Sequence, residues 1–355
     1  VSILWLILLY SLAFGEGNAF IGGFSKVFFN GVVEGSIQGS IPESAFAMFQ
    51  LTFAIITPAL IVGGFAERMR FSSVLIFTVL WMIAVYAPVC HWVWGGGWLG
   101  SDGVGVMDFA GGTVVHITAG TAALVAAIVM GPRRGFPGQM MPPHNMTLTV
   151  TGAGMLWVGW FGFNGGSALT SGGDAAMAIA VTHISAAAGA LTWMTAEWLR
   201  FGKPSVLGAV TGMVAGLATI TPASGYVGPA GALIMGISGG YICWMATNFM
   251  KRTLKIDDSL DVFPVHAVGA VVGMLLTAVF ASNAIGIFSG QGGISSIGSQ
   301  FGKQAIGVVA TFAYTAFVSY VILRIVDAMT GNRVSVEQET EGLDLVLHNE
   351  RGYDL

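Results

Sequence analysis

Apolar residues fall into long runs over 1–15, 43–65, 71–90, 110–130, 147–168, 175–199, 205–220, 226–249, 263–282 and 302–328. Most of these runs have the length of about 17 to 25 residues that carries a helix across a bilayer core. Between them lie short segments rich in turn formers, such as SDGVG, TSGGD, TPASG and GQGGISS. The pattern predicts an all-α, polytopic membrane bundle of ten visible helices. The first run, SILWLILLYSLAFG, has neither a basic leader nor a cleavage motif and reads as the interior of a helix. A further helix upstream is therefore expected. The polar stretch after about residue 329 reads as a tail, dividing the chain into a membrane domain at 1–328 and a tail at 329–355.

Composition agrees with that pattern. Hydrophobic residues make up 54% of the 355 positions and charged residues only 9%, against about a quarter charged in an ordinary soluble domain. The 52 glycines suit helices that approach closely within a membrane. Arg68 and Arg70, Arg133 and Arg134, Arg200 and Lys203, then Lys251, Arg252 and Lys255 occupy every second loop, whereas the intervening loops hold only Lys26 and Lys303. Basic loops mark the cytoplasmic side. This alternation also checks the helix count, because one missed span would put the loops out of phase. With the charges segregated by side, the formal net charge of −4 points to no partner, and no nucleic acid is implicated. Cys90 and Cys243 lie in apolar surroundings without metal-ligand spacing and read as core residues.

Ionisable residues inside apolar runs are costly and usually face a cavity, a partner or a pathway. The candidates are Asp108, His116, His183, Asp261 and His266. Asp108 precedes FAGGTVV, where a carboxylate accepts from the free N–H groups of a helix start. His116 lies roughly 12 Å deeper at 1.5 Å per residue. The segment DDSLDVFPVHAVGAVVG repeats this order around His266: acid, short connection, β-branched residue, histidine, small residues. The two helices enter from opposite sides, as an inverted repeat would make them. The spacing leaves two readings open, a functional pair near the midplane or two unrelated core histidines. His183 has no acid upstream and reads as a helix–helix hydrogen bond or an outer-end residue, while His91, His144 and His348 fall at span ends or in polar segments. Phe49 and Phe53 share a helix face, and Trp92, Trp94 and Trp98 share their level; these are either an interfacial aromatic belt or a cage for a small cation.

The segments SLAFGEGN, AERMRFS, HWVWGGG, DFAGGTVVH, RGFPGQMMPPHN, GWFGFNGGSA, TPASGYVG, DVFPVHAVG and EGLDLVLH together resemble the ammonium transporter (Amt/Mep/Rh) family. The resemblance implies an eleven-helix fold with inverted five-helix repeats, here without the first helix and part of the second. It implies transport of ammonium or ammonia, with methylammonium as analogue, across the cytoplasmic (inner, plasma) membrane. Position by position, Phe53, Trp94 and Ser167 match the outer recruitment site and Asp108 its supporting acid. Phe53 and Phe163 match a stacked pair closing the outer mouth, His116 and His266 the twin pore histidines, and Phe49 and Trp160 the vestibule or pore wall. Pro264 stands where the family pattern has Gly. No metal, no cofactor and no enzymatic chemistry are implied; a homotrimer, membrane lipids and a PII signal protein are the implied partners. Two alternatives stand beside transport: an ammonium sensor on the same fold, and a haem protein using His116 and His266 as axial ligands.

Overall fold

The computed structural model describes residues 1–353, and among them the chain is mostly helical, with one two-residue strand pair, Ile37–Gln38 with Ile41–Pro42. Among the described residues, a short apolar helix, α1 (Ser2–Phe14), is followed by nine helices long and apolar enough to cross a membrane. These are α2 (Glu43–Phe65), α3 (Phe71–Trp94), α4 (Gly112–Met130), α5 (Met146–Gly166), α6 (Gly173–Phe201), α7 (Val206–Ala223), α8 (Pro229–Leu254), α9 (Phe263–Phe280) and α10 (Ile297–Thr330). The protein is thus a multi-pass membrane protein, and every long run expected from the sequence is a helix. Boundaries move where a cap overrides hydropathy. Helix α10 begins at Ile297 because the Ser296 side chain accepts from Ser299 N, and α7 begins after Ser205, which accepts from Gly208 N.

The bundle is built on close approaches. Helix α4 runs between α2, α9 and α10, while α6 packs on α7 and α8. Small residues make this possible. A Cβ at Gly120 of α4 would lie 2.6 Å from the Cβ of Ala267 on α9, so the two helices cross nearly backbone to backbone there. Two short helices, α11 (Val336–Glu341) and α12 (Leu343–His348), follow α10. They lie against the end of the bundle that carries the basic loops: Arg333 donates to Met130 O and Glu339, and Arg134 N donates to Glu339.

Five of the helices contain a π-helical turn: Trp5–Leu9 in α1, Met82–Tyr86 in α3, Gly112–Ile117 in α4, Phe249–Leu254 in α8 and Phe263–Ala267 in α9. Such turns are uncommon and collect at functional positions. Two of the five contain the histidines His116 and His266.

Candidate functional site

The start of α4 is organised by Asp108. Its Oδ1 accepts from Gly111 N (2.9 Å) and Gly112 N (2.6 Å), and its Oδ2 accepts from Thr113 N (2.8 Å) and the Thr113 hydroxyl. With Val114 N also reaching Oδ2 at 3.4 Å, five donors on one carboxylate fill both oxygens and meet the positive end of the helix. The chain can turn into that cap because Gly111 takes φ +109°, a left-handed conformation that side chains avoid. The backbone oxygen of Asp108 in turn accepts from Trp94 Nε1 at 2.8 Å, which fixes the indole at the rim.

Asp108, Trp94, Ser167, Phe49 and Gln50 line a first cavity, of about 350 Å³. The Ser167 hydroxyl donates to Phe163 O at 2.8 Å, leaving its lone pairs free to accept a further donor. At the floor, Phe53 is fully buried, with its ring 5.5 Å from that of Trp94, 4.9 Å from Phe49 and 4.3 Å from Phe163. The expected stacked pair of Phe53 and Phe163 is in close contact, but its planes are tilted by 49°. The edge-to-face preference of aromatic quadrupoles accounts for the tilt.

Below these rings lies a cavity of about 530 Å³, mostly apolar, lined by Phe49, Trp160, Phe163, His116 and His266 among others. The two imidazoles meet Nδ1 to Nδ1 at 3.2 Å, with planes 17° apart. Two nitrogens in that contact share one proton, so one ring donates and the other accepts. His116 Nε2 has no partner within the protein. Trp160 stacks on His116 at 5.4 Å and 14°, and its Nε1 donates to the Thr221 hydroxyl at 2.9 Å. That hydroxyl donates on to Leu217 O. Of the expected site residues, Asp108, Trp94, Ser167 and Phe49 line the first cavity and Phe49, Trp160, Phe163, His116 and His266 the second, while Phe53 lines neither and packs its ring against Phe49, Trp94 and Phe163. Pro264 occupies the first turn of α9, where a missing N–H leaves nothing unpaired.

The structure also settles what the sequence left open, namely which acid of DDSLD caps the His266 helix. The cap of the His266 helix is Asp258, whose Oδ2 accepts from Phe263 N at 2.7 Å; Asp261 instead pairs with Lys251 at 2.8 Å. Spacing could have found it, because Asp108 to His116 and Asp258 to His266 are both separations of eight. Thr221 was missed because a threonine in TPASG carries no signal of its own. His183 does not form the helix–helix hydrogen bond that was one of its two expected readings. It is exposed on α6 and stacks on Trp157 and Phe161 of α5, ring against ring. His91 is buried at a span end, with its ring nitrogens facing Ala13 O (3.0 Å) and Asn18 O (2.8 Å).

The basic end holds a second constellation, outside the membrane spans. Arg133 donates from its backbone N and its guanidinium to the buried Asp257 carboxylate, the closest contact being 2.7 Å. Burial alone would raise Asp257, but the hydrogen bonds and charge of Arg133 hold it below the usual carboxylate range. The fully buried Arg68 donates to Gly64 O, Asp257 O and the Ser259 hydroxyl. No group of three or more His, Cys, Asp or Glu suited to a metal ion occurs among the described residues.

The family model described as "Ammonium Transporter Family" matches residues 1–353. The "Ammonium transporter" of Bacillus subtilis is 45% identical over 355 residues, covering 99% of this chain and 87% of that protein. Among solved structures, Mep2 of Saccharomyces cerevisiae aligns with a TM-score of 0.86 at 36% identity, over 95% of this chain and 77% of that one. A structure named "Sensor Amt Protein" aligns with a TM-score of 0.89 at 30% identity, over 98% of this chain and 87% of that one.

Proposed function

The chain belongs to the ammonium transporter family, and from that premise we propose that it recruits NH4+ at the outer cavity, deprotonates it, and passes NH3 along the two histidines. The observation that carries the proposal is the His116–His266 contact at 3.2 Å inside an apolar cavity behind closed aromatic rings. The faces of Trp94 and Phe53 attract a cation at about 0.5 to 2 kcal/mol each, and the Ser167 hydroxyl accepts one N–H. Potassium has a similar size and charge, so this first selection is modest.

The larger filter is the passage beyond Phe53 and Phe163. An intact cation in such surroundings costs at least several kcal/mol. Ammonium escapes that cost by giving up a proton, which potassium cannot do. An imidazole titrates in solution near about pH 6.5, so a hydrogen-bonded pair of rings is chemically suited to relay the proton separately. Asp108, filled with backbone donors, shapes the recruitment site and is not its ligand. In this reading the protein catalyses no covalent reaction, and the residues need no haem or other cofactor.

The basic loops and the tail, 329–355, are assigned to the cytoplasmic side of the inner (plasma) membrane by the positive-inside rule. The tail's contacts with the bundle, Glu339 with Arg134 N and Arg333 with Met130 O, suit a docking face for a PII signal protein, and three copies with one pore each complete the proposed assembly. A second reading, ammonium sensing, is favoured by the likeness to the Sensor Amt Protein.

Purified protein in liposomes separates the readings. Transport requires an ammonium-dependent current or lumenal alkalinisation, and a flat trace refutes it. His116→Ala is expected to lose selectivity for ammonium over potassium; full selectivity in that variant contradicts the relay.

A further inference from the structure

Two acids cap the two histidine-bearing helices at the same spacing, but the protein satisfies them differently. Asp108 has donors on both oxygens. Asp258 is fully buried and has Phe263 N on Oδ2 at 2.7 Å, while its Oδ1 has no hydrogen-bond partner within the protein. A buried, ionised oxygen without a donor is expensive. The same oxygen carrying a proton is far cheaper, so this position favours uptake of H+ in a way that Asp108 does not.

The charged groups around Asp258 leave that oxygen free. Asp261, three residues on, is held by Lys251 of α8 at 2.8 Å. Asp257 is held by Arg133 from the segment after α4, and Arg68, from the segment after α2, spends its guanidinium on Gly64 O, Asp257 O and Ser259. None of these cations donates to Asp258 Oδ1, although Arg68 Nε is likewise buried without a partner. The three residues after Asp258, which are Ser259, Leu260 and Asp261, line a cavity of about 730 Å³ at the basic end, together with Lys251 and Glu197.

We propose that Asp258 is the proton-accepting station at the basic end of the transport path. The carboxylate binds on Oδ1 the proton that ammonium lost at the outer cavity, becoming a carboxylic acid. It then releases that proton into the basic-end cavity and returns to the carboxylate, so the cycle balances without a co-reactant. Burial first, and the charge of Asp261 second, push this carboxyl up to about 7, so both forms are populated at neutral pH. The inference rests on the transport reading above.

Asp258→Asn tests it, because the amide oxygen can still cap Phe263 N while no longer titrating. In proteoliposomes, ammonium-driven current of the wild type is expected to fall as the pH on the basic side drops through about 7. The variant is expected to lose that slope and on the order of 10- to 100-fold of the current. Asp261→Asn provides a second arm that does not depend on the first variant folding. Removing its charge moves the midpoint of the slope to lower pH, which a merely structural role would not do. Wild-type current and slope in Asp258→Asn, or an unmoved midpoint in Asp261→Asn, overturns the assignment. A wild type with neither ammonium-coupled current nor lumenal alkalinisation refutes the transport reading itself, whereas alkalinisation without current overturns only the proton station, so the two failures are distinguishable.

Discussion

Gly120→Ala probes the crossing on which the histidine pair depends. A Cβ at this position would lie 2.6 Å from both Cβ and N of Ala267. Carbon contacts settle at about 3.5 to 4.0 Å, so α4 and α9 must part locally by about 1 Å. Overpacking of this kind costs about 1 to 3 kcal/mol. The displacement does not stay local. Ala267 directly follows His266, and Gly120 lies one turn beyond His116. A 3.2 Å ring contact widened by that amount passes the limit of about 3.2 to 3.5 Å for a hydrogen bond. Methylammonium uptake is expected to drop by up to about 100-fold, the scale on which an ångström of misplacement acts. Melting in detergent checks the stability term. Gly154→Ala is the internal control: nothing lies within 4 Å of its Cβ, so it gains up to about 1 kcal/mol of helix propensity and transports normally. Wild-type uptake and melting in Gly120→Ala would refute the argument that this crossing sets the ring contact.

Three further outcomes follow from the same geometry. Thr221→Val removes the acceptor for Trp160 Nε1 and leaves a buried N–H unpaired, at a cost of about 1 to 3 kcal/mol; its maximal uptake rate falls while half-saturation holds, and Thr221→Ser restores it. Asp258→Asn also has a stability signature in detergent melting. The folded-state pKa of about 7 lies above the unfolded value of about 3.9, so ionisation opposes folding and wild-type stability falls as pH rises from about 4 to about 7. The variant is therefore more stable by at most about 4 kcal/mol above pH 7, a gap that closes below about pH 4. Arg133→Met strips the buried Asp257 of its partner and is expected to cost about 3 to 5 kcal/mol in melting, with most of the loss recovered when Asp257→Asn is added.

The helices were legible because each must satisfy its own backbone in lipid, which makes hydropathy nearly sufficient. His116 and His266 were legible as a pair because their flanks repeat. Their ring-to-ring contact was not, since it depends on two remote small residues, Gly120 and Ala267, that let the helices touch. Asp258 was hidden by its neighbours: DDSLD offers three acids, and hydropathy cannot tell which one caps the helix, which one meets Lys251 and which one meets Arg133. His91 was passed over because a histidine at a span end is ordinarily wetted. Here two backbone carbonyls face its ring, and no residue pattern in the sequence announces them.

The π-helical turns at Gly112–Ile117 and Phe263–Ala267 carry a consequence for how such a protein can change. Each turn holds one residue more than an α-helix needs for the same rise. Deleting that surplus residue would let the turn relax to ordinary α geometry while the helix beyond it keeps its facing, so Gly120 would stay against Ala267. The same deletion in the regular part of α4 would instead rotate everything downstream by about 100° and part the two helices. The turns are thus the places where the two histidine helices can change length by one residue and still cross.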